Sequence, residues 1–470
     1  MTSDDNGNVL ATIDPKTPRR IHLVGVAGTG MGSFAGMLKA AGYEVTGSDE
    51  NVYPPMSHQL EAWGIRALAP YSPGNLDEVK PDLVIIGNVI RRVNPEATAV
   101  RERRLPSMSF PAALGSLFLK DRHSIVIAGT HGKTTTSALM GHVLAAAGRD
   151  PTFLVGGVTK NYGGNYRLGK GPHFVVEGDE YDTAYFDKGP KFLHYQPKTV
   201  ILTSIELDHA DIYRDLQHYE SSFEKLVELI PADGTLVVCS AWPNALRIAK
   251  RCKGRVVEYA SAPARFSSEG ARFDPGGGEV LLPLGGRHNV ENAMGVYAAA
   301  RSLGLTHDEI AKGFASFQGV KRRQEERGTV RGVLVIDDFA HHPTAVRETI
   351  AAVKGRYAGR RLVAVFEPRS NTSRRNLHQD EYARSFGGAD RAFVKVPEKH
   401  DKIPEGEGLD VPRLARELSA GGIPTEAGAT VDGLVEQVAA DAKTGDVVLV
   451  MSNGGFGGFI DKLLKRLEGT

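Results

Sequence analysis

Short apolar runs recur along this chain, and most are followed by a longer segment whose apolar positions repeat at helical spacing. Ile21-His-Leu-Val-Gly-Val26, Leu83-Val-Ile-Ile86, Ser124-Ile-Val-Ile-Ala128, His173-Phe-Val-Val-Glu177 and Thr199-Val-Ile-Leu202 read as strands. So do Val333–Ile336, Leu362–Phe366, Ala392–Val396 and Val447–Met451. Strands alternating with helices predict an α/β fold of parallel sheets covered by helices. Helices are expected up to Gly42, from Gly132 to about Gly148, and through the Ala-rich segment that follows Asn292. Ser261–Gly278, rich in glycine and charge, reads as hairpins or loops. The pattern forms three units in series: a Rossmann-like N-terminal domain at 19–120, a central P-loop domain with a mostly parallel sheet at 121–327, and a Rossmann-like C-terminal domain at 328–470. A polar segment at 1–18 is expected to be a loose tail.

Length and charge narrow the class. The 470 residues suffice for about two to four domains with substantial cores. With 57 basic and 56 acidic residues, nothing points to nucleic acid or an anionic membrane as partner. Cys239 and Cys252 match no metal-ligand or redox spacing, which suits a reduced, cytoplasmic protein. Met1–Lys16 has no apolar core, so it does not read as a signal peptide, and no run is long enough to span a membrane. Charge and composition leave monomer and homodimer both open.

The chemistry concentrates where strands end. Ser124-Ile-Val-Ile-Ala-Gly-Thr-His-Gly-Lys-Thr-Thr-Thr136 is a strand that breaks into glycines and then enters a helix. Glycines let backbone N–H groups approach a polyphosphate, and the helix N-terminus favours negative charge. Lys133 can reach the β- and γ-phosphates, and the Thr134 hydroxyl can ligate Mg²⁺. Only Thr130 and His131 separate Gly129 from Gly132, where the usual loop has four residues. A nucleoside triphosphate is the expected ligand. Glu177, at the end of the next apolar run, is the candidate Mg²⁺ carboxylate; Asp179 reads as part of a solvated acidic turn. His209, one strand further along, could meet a second cation or sit near transferring phosphate. Asn289 and Asn292 could cap a helix or read an adenine edge. The run Lys321-Arg-Arg-Gln-Glu-Glu-Arg327 is either a solvated linker or the source of an arginine that clamps phosphate. In the first unit Gly28, Gly30 and Gly32 do not fit the dinucleotide fingerprint, with Ser33 in the place of its third glycine, so a diphosphate site is expected instead.

Together these segments resemble the Mur ligase superfamily: Gly129-Thr-His-Gly-Lys-Thr-Thr135, Val176-Glu-Gly-Asp-Glu180, Asp208-His209, His288-Asn-x-x-Asn292, Arg322-Arg323 and Asp337-Asp-Phe-Ala-His-His-Pro343, in order along the chain. The resemblance implies three domains and ATP-dependent amide formation through an acyl phosphate. It implies that Gly129, Thr130, His131, Gly132, Lys133, Thr134, Thr135, Asn289, Asn292, Arg323 and Asp338 bind ATP. Mg²⁺ would be held by Thr134, Glu177 and His209, with Lys133, Glu177, His209 and His341 in catalysis. Gly28, Thr29, Gly30, Met31, Gly32, Ser48, Asp49 and Asn88 would hold the UDP part of UDP-N-acetylmuramate. Arg369 and Asn371 are candidates for the acceptor's carboxylates. Some members carry a carbamylated lysine after the Asp-His motif; Phe223 stands at that place here, as in the branch that adds to UDP-N-acetylmuramate. Within that branch two acceptors compete. Members that add free L-alanine carry a Pro-His-Arg-Tyr-Thr-Arg type segment, whereas here Glu367-Pro-Arg-Ser-Asn-Thr-Ser373 puts Ser370 and Ser373 at the two arginine positions. That segment, Met451-Ser-Asn-Gly-Gly-Phe-Gly-Gly458 and Asn51-Val-Tyr-Pro-Pro-Met56 are similar to members that add the murein tripeptide L-alanyl-γ-D-glutamyl-meso-diaminopimelate. The resemblance therefore implies tripeptide ligation, with L-alanine ligation as the alternative.

Overall fold

A computed structural model describes residues 2–3, 9–10, 19–53, 56–209, 212–398, 403 and 406–469. Most of the expected tail, and Pro54 and Pro55 of the Asn51–Met56 segment, lie outside the described residues.

Three main sheets follow one another along the chain. In the first, the parallel strands run in the order Ser107–Ser109, Leu83–Ile86, Arg20–Val24, Glu44–Ser48, Arg66–Leu68. Its opening strand ends at a turn that starts the helix Thr29–Ala40. In the second, His123–Ala128 lies between His173–Gly178 and Thr199–Leu202, parallel to both. Thr152–Leu154 extends one side; Thr235–Cys239 and Arg255–Tyr259 extend the other. The chain therefore reverses its strand order around His123–Ala128, and open α/β sheets bind ligands at the carboxyl ends beside such a point. The stretch read as hairpins forms a three-stranded antiparallel sheet, Ala264–Ser267, Gly270–Phe273 and Val280–Leu282.

The third sheet runs Val333–Asp338, Val447–Met451, Leu362–Phe366, Arg391–Lys395, Thr425–Gly428, all parallel. One antiparallel strand, Glu325–Val330, pairs with Val333–Asp338 and crosses the expected domain boundary at 327/328. Its hydrophobic pattern is weak because it carries Glu325, Glu326 and Arg327 on an edge, where polar side chains face water. The central strands are buried on both faces: Ile125, Val126 and Ile127 are each 0% exposed. This explains why they read as continuous apolar runs.

Candidate functional site

The phosphate loop is built from backbone conformations that glycine supplies. Gly129 has φ +133° and Gly132 has φ +80°. A Cβ at Gly129 would strike the Thr203 hydroxyl, and one at Gly132 would strike the Asn292 carboxamide. Gly132 also starts the helix Lys133–Ala146, and no side chain caps that end. Its first N–H groups are therefore available to an anion.

Lys133 turns back over this loop. Its ammonium donates to the Gly129 carbonyl at 2.5 Å, the Thr130 carbonyl at 3.2 Å and Glu180 Oε1 at 3.0 Å. Burial works against its charge, yet Glu180, Asp179 and Glu177 hold its pKa above the ordinary value. Glu180 is the hub of the cluster and 1% exposed. Its Oε1 also accepts from the Tyr219 hydroxyl at 2.9 Å and faces His209 Nε2 at 3.1 Å. Glu180 Oε2 is buried without a partner. Neighbouring Asp179 forms an ion pair with Lys191.

Thr134 Oγ1 donates to Glu177 Oε1 at 3.0 Å, and the Gly156 N–H donates to Glu177 Oε2 at 2.7 Å. Burial nevertheless raises the Glu177 carboxyl above the usual carboxylate range, because Lys133 and Arg323 offset it only in part. His209 sits in a left-handed conformation, φ +56°, at a tight turn. Burial opposes its charge, but Glu180 and Asp208 hold the imidazolium above its usual pKa. Strained backbone of this kind persists where surrounding contacts over-determine it, and it clusters at functional sites.

The C-terminal domain reaches into this site. Arg323 Nη2 donates to Thr134 Oγ1 at 3.2 Å, and its guanidinium lies over the Phe339 ring at 4.6 Å. Arg322 instead donates to the Ser452 and Gly454 carbonyls, at 2.6 Å each. The basic run is thus split between an arginine bonded to the turn after Val447–Met451 and one on the phosphate loop. Asp338, expected at a ribose, accepts from the N–H groups of Gln324 and Ala340 at 2.8 Å each, which ties the segment after Arg323 to this strand end. His341 Nδ1–H donates to the Phe339 carbonyl at 3.0 Å, and burial lowers its pKa, opposed by Asp208. Asn289 donates to the Gly285 carbonyl at 2.8 Å, while Asn292 packs on Gly132.

The N-terminal candidates divide. Gly28, Thr29, Gly30 and Asn88 are exposed at the carboxyl edge of their sheet. Asp49 accepts from the Ala27 N–H at 2.9 Å and from Tyr71 at 3.1 Å, so it braces the glycine turn. Met31 and Gly32 are buried, Gly32 against Met56. Ser48 corrects the expectation of a substrate contact: it is 0% exposed, and its hydroxyl is taken by Glu96 and by His22. In the third domain Arg369 is exposed and lies on Gly454, while Ser370 Oγ donates to Ser373 Oγ at 2.9 Å. Phe223, at the place of the family's modified lysine, is wholly buried against the rings of Phe192 and Tyr219.

With this geometry in view, three family models match consecutive parts of the chain. They are the Mur ligase family catalytic domain at residues 20–122, the Mur ligase middle domain at 127–300 and the Mur ligase glutamate ligase domain at 322–454. The chain belongs to the Mur ligase family. It is 41% identical over 465 residues to the Escherichia coli UDP-N-acetylmuramate–L-alanyl-γ-D-glutamyl-meso-2,6-diaminoheptandioate ligase, covering 95% of this chain and 98% of that one. The crystal structure of a murein peptide ligase from Psychrobacter arcticus superposes with a TM-score of 0.70 at 34% identity, over 96% of this chain and 99% of that one. The Thermotoga maritima UDP-N-acetylmuramate–alanine ligase superposes with a TM-score of 0.78 at 25% identity, over 96% and 99%.

In this Mur ligase the sequence reading gave no role to Glu180, although the motif Val176-Glu-Gly-Asp-Glu180 contains it. Its signal was available: a second carboxylate three residues after Glu177 and just past the same strand end. It also gave no role to Glu206, which accepts from Thr344 Oγ1 at 3.1 Å across the domain boundary. No helix among the described residues is long and apolar enough to cross a membrane.

Proposed function

We propose that this chain ligates UDP-N-acetylmuramate to L-alanyl-γ-D-glutamyl-meso-diaminopimelate at the expense of ATP, and that it does so in the cytoplasm. The observation that carries the choice of acceptor is the Ser370–Ser373 hydroxyl pair. Two arginines at these positions would clamp a small amino acid's carboxylate; two serines bonded to each other offer no such charge and leave room for a longer acceptor. The 41% identity to the Escherichia coli tripeptide ligase supports the same reading.

ATP fits the phosphate loop because the helix N-terminus at Lys133 has no side-chain cap and faces a buried ammonium. Mg²⁺ fits beside it: Thr134 Oγ1 and Glu177 would supply hard oxygens, and His209 lies in the adjoining cluster around Glu180. When bound, the metal supplies charge neutralisation on the phosphates. Lys133 is held protonated by Glu180 and can swing from the loop carbonyls to the γ-phosphate. Arg323, preoriented by Phe339, adds a planar donor to the transferring group. The substrate's lactyl carboxylate attacks the γ-phosphorus, ADP leaves, and the acceptor amine then displaces phosphate from the acyl phosphate. His341 is kept neutral by burial and can take the amine proton. Gly28, Thr29, Gly30 and Asn88 hold the UDP moiety at the exposed glycine turn. Arg369 and Asn371 face the acceptor.

A competition assay tests this. The protein is incubated with MgATP, UDP-N-acetylmuramate and equimolar tripeptide and L-alanine, and the products are identified by mass spectrometry. A product carrying the tripeptide is expected; one carrying alanine alone would overturn the acceptor assignment.

A further inference from the structure

A second cluster lies beside the phosphate loop, and the reaction scheme leaves it unused. His131 comes from the loop itself, Glu206 from the segment after Thr199–Leu202, and His342 from the C-terminal domain, where it caps the helix Pro343–Arg356. His131 Nε2 and Glu206 Oε2 are 2.7 Å apart, and His342 Nδ1 is 3.8 Å from the same oxygen. One donor atom from each residue lies within 4.8 Å of the other two.

Hydrogen bonding accounts for the His131–Glu206 pair but not for the placing of His342 beside it. His342 is 6% exposed, its Nε2 has no partner, and the bond from the Thr344 N–H to its Nδ1 is long at 3.3 Å. Its approach to Glu206 exceeds hydrogen-bond range. The supporting contacts are nevertheless set. Thr344 Oγ1 fixes the far oxygen of Glu206, Thr130 Oγ1 holds the Glu206 backbone at 2.9 Å, and Ser204 Oγ accepts from the His131 N–H at 2.9 Å. Carboxylate ligands in metal sites are oriented by outer hydrogen bonds of this type.

We propose that His131, Glu206 and His342 form a transition-metal site that ties the C-terminal domain to the phosphate loop. Two imidazoles and one carboxylate suit Zn²⁺, Co²⁺ or Ni²⁺, whereas Mg²⁺ prefers the all-oxygen set at Thr134 and Glu177. Ligand bonds of about 2.0–2.2 Å require the three donors to close in on a common centre, with the His342 Nδ1 lone pair released from its long bond to the Thr344 N–H. Two ligands belong to the central domain and one to the C-terminal domain. A bound ion therefore favours the arrangement in which Arg323 touches Thr134.

The test is a Co²⁺ titration of the full-length protein in millimolar Mg²⁺, read by visible absorption, with Zn²⁺-dependent melting as a second readout. One Co²⁺ per chain is expected, with d–d bands that persist in His209→Asn. His342→Asn, in which asparagine preserves the helix cap, and Glu206→Gln should each weaken binding at least about tenfold and abolish the Zn²⁺ shift in melting. If the bands vanish in His209→Asn and survive in both other variants, the ion belongs to the Mg²⁺ site and the proposal is wrong. Absence of Co²⁺ binding in Mg²⁺ overturns it equally.

Discussion

Glu180→Gln removes one charge and almost no volume. The Glu180 carboxylate is 1% exposed and accepts from Lys133 at 3.0 Å and from Tyr219 at 2.9 Å, with His209 at 3.1 Å. A glutamine there offers one oxygen and adds two N–H donors facing an ammonium. Leaving a buried charge without its partner costs about 3–5 kcal/mol. For a domain of the central one's size each kcal/mol moves the melting midpoint by about 2–4 °C, so the variant should melt about 6–20 °C lower. The pH profile carries the sign. Glu180 is held below its usual pKa by Lys133 and His209 despite burial, and Lys133 is held above its own. Their mutual stabilisation is thus fully present between the unfolded values of about 4.3 and about 10.4. It fades as pH falls through the lowered Glu180 value or rises through the raised Lys133 value. Differential scanning calorimetry of wild type and variant should show the widest gap from about pH 5 to about pH 6.5, a smaller one above the raised His209 value up to about pH 10, where the Lys133 pair alone remains, and narrowing below about pH 4. A variant that melts within about 2 °C of wild type at neutral pH would refute the reasoning.

Gly132→Ala places a methyl group on the Asn292 carboxamide at φ +80°, and nucleotide binding by calorimetry should weaken at least about tenfold. Ser48→Ala should lower stability by about 1–3 kcal/mol, because Glu96 and His22 lose a buried partner; the KM for UDP-N-acetylmuramate should stay within about twofold, since the hydroxyl does not face substrate. Arg323→Lys keeps the charge but loses the planar contact with Phe339, and kcat/KM should fall at least about tenfold in a coupled ADP assay. Phe223→Ala empties a site shared with Phe192 and Tyr219 and should cost about 3–5 kcal/mol by chemical denaturation.

The parallel strands were legible because both of their faces are buried, which leaves continuous apolar runs such as Ile125-Val-Ile127. Glu325–Val330 was not, because an edge strand with charged side chains lacks that pattern. Gly132, Lys133, Thr134 and Glu177 stood out since their chemistry depends on local spacing. Glu180 did not, because its importance comes from His209 and Tyr219, 29 and 39 residues away. Ser48 was misplaced for a related reason: its position after a strand suggested the crevice, while Glu96 and His22 draw it under the sheet. Asp338 and Asn289 have the expected residue types, and their buried polar atoms bind nearby backbone groups.

Steady-state phosphate release distinguishes the two acceptors. Purified protein with MgATP and UDP-N-acetylmuramate is assayed in parallel with the tripeptide and with free L-alanine, each over a range of concentrations. The kcat/KM for the tripeptide is expected to be at least about a hundredfold above that for alanine, because alanine finds no arginine at Ser370 or Ser373. Equal or greater efficiency with alanine would contradict the tripeptide assignment.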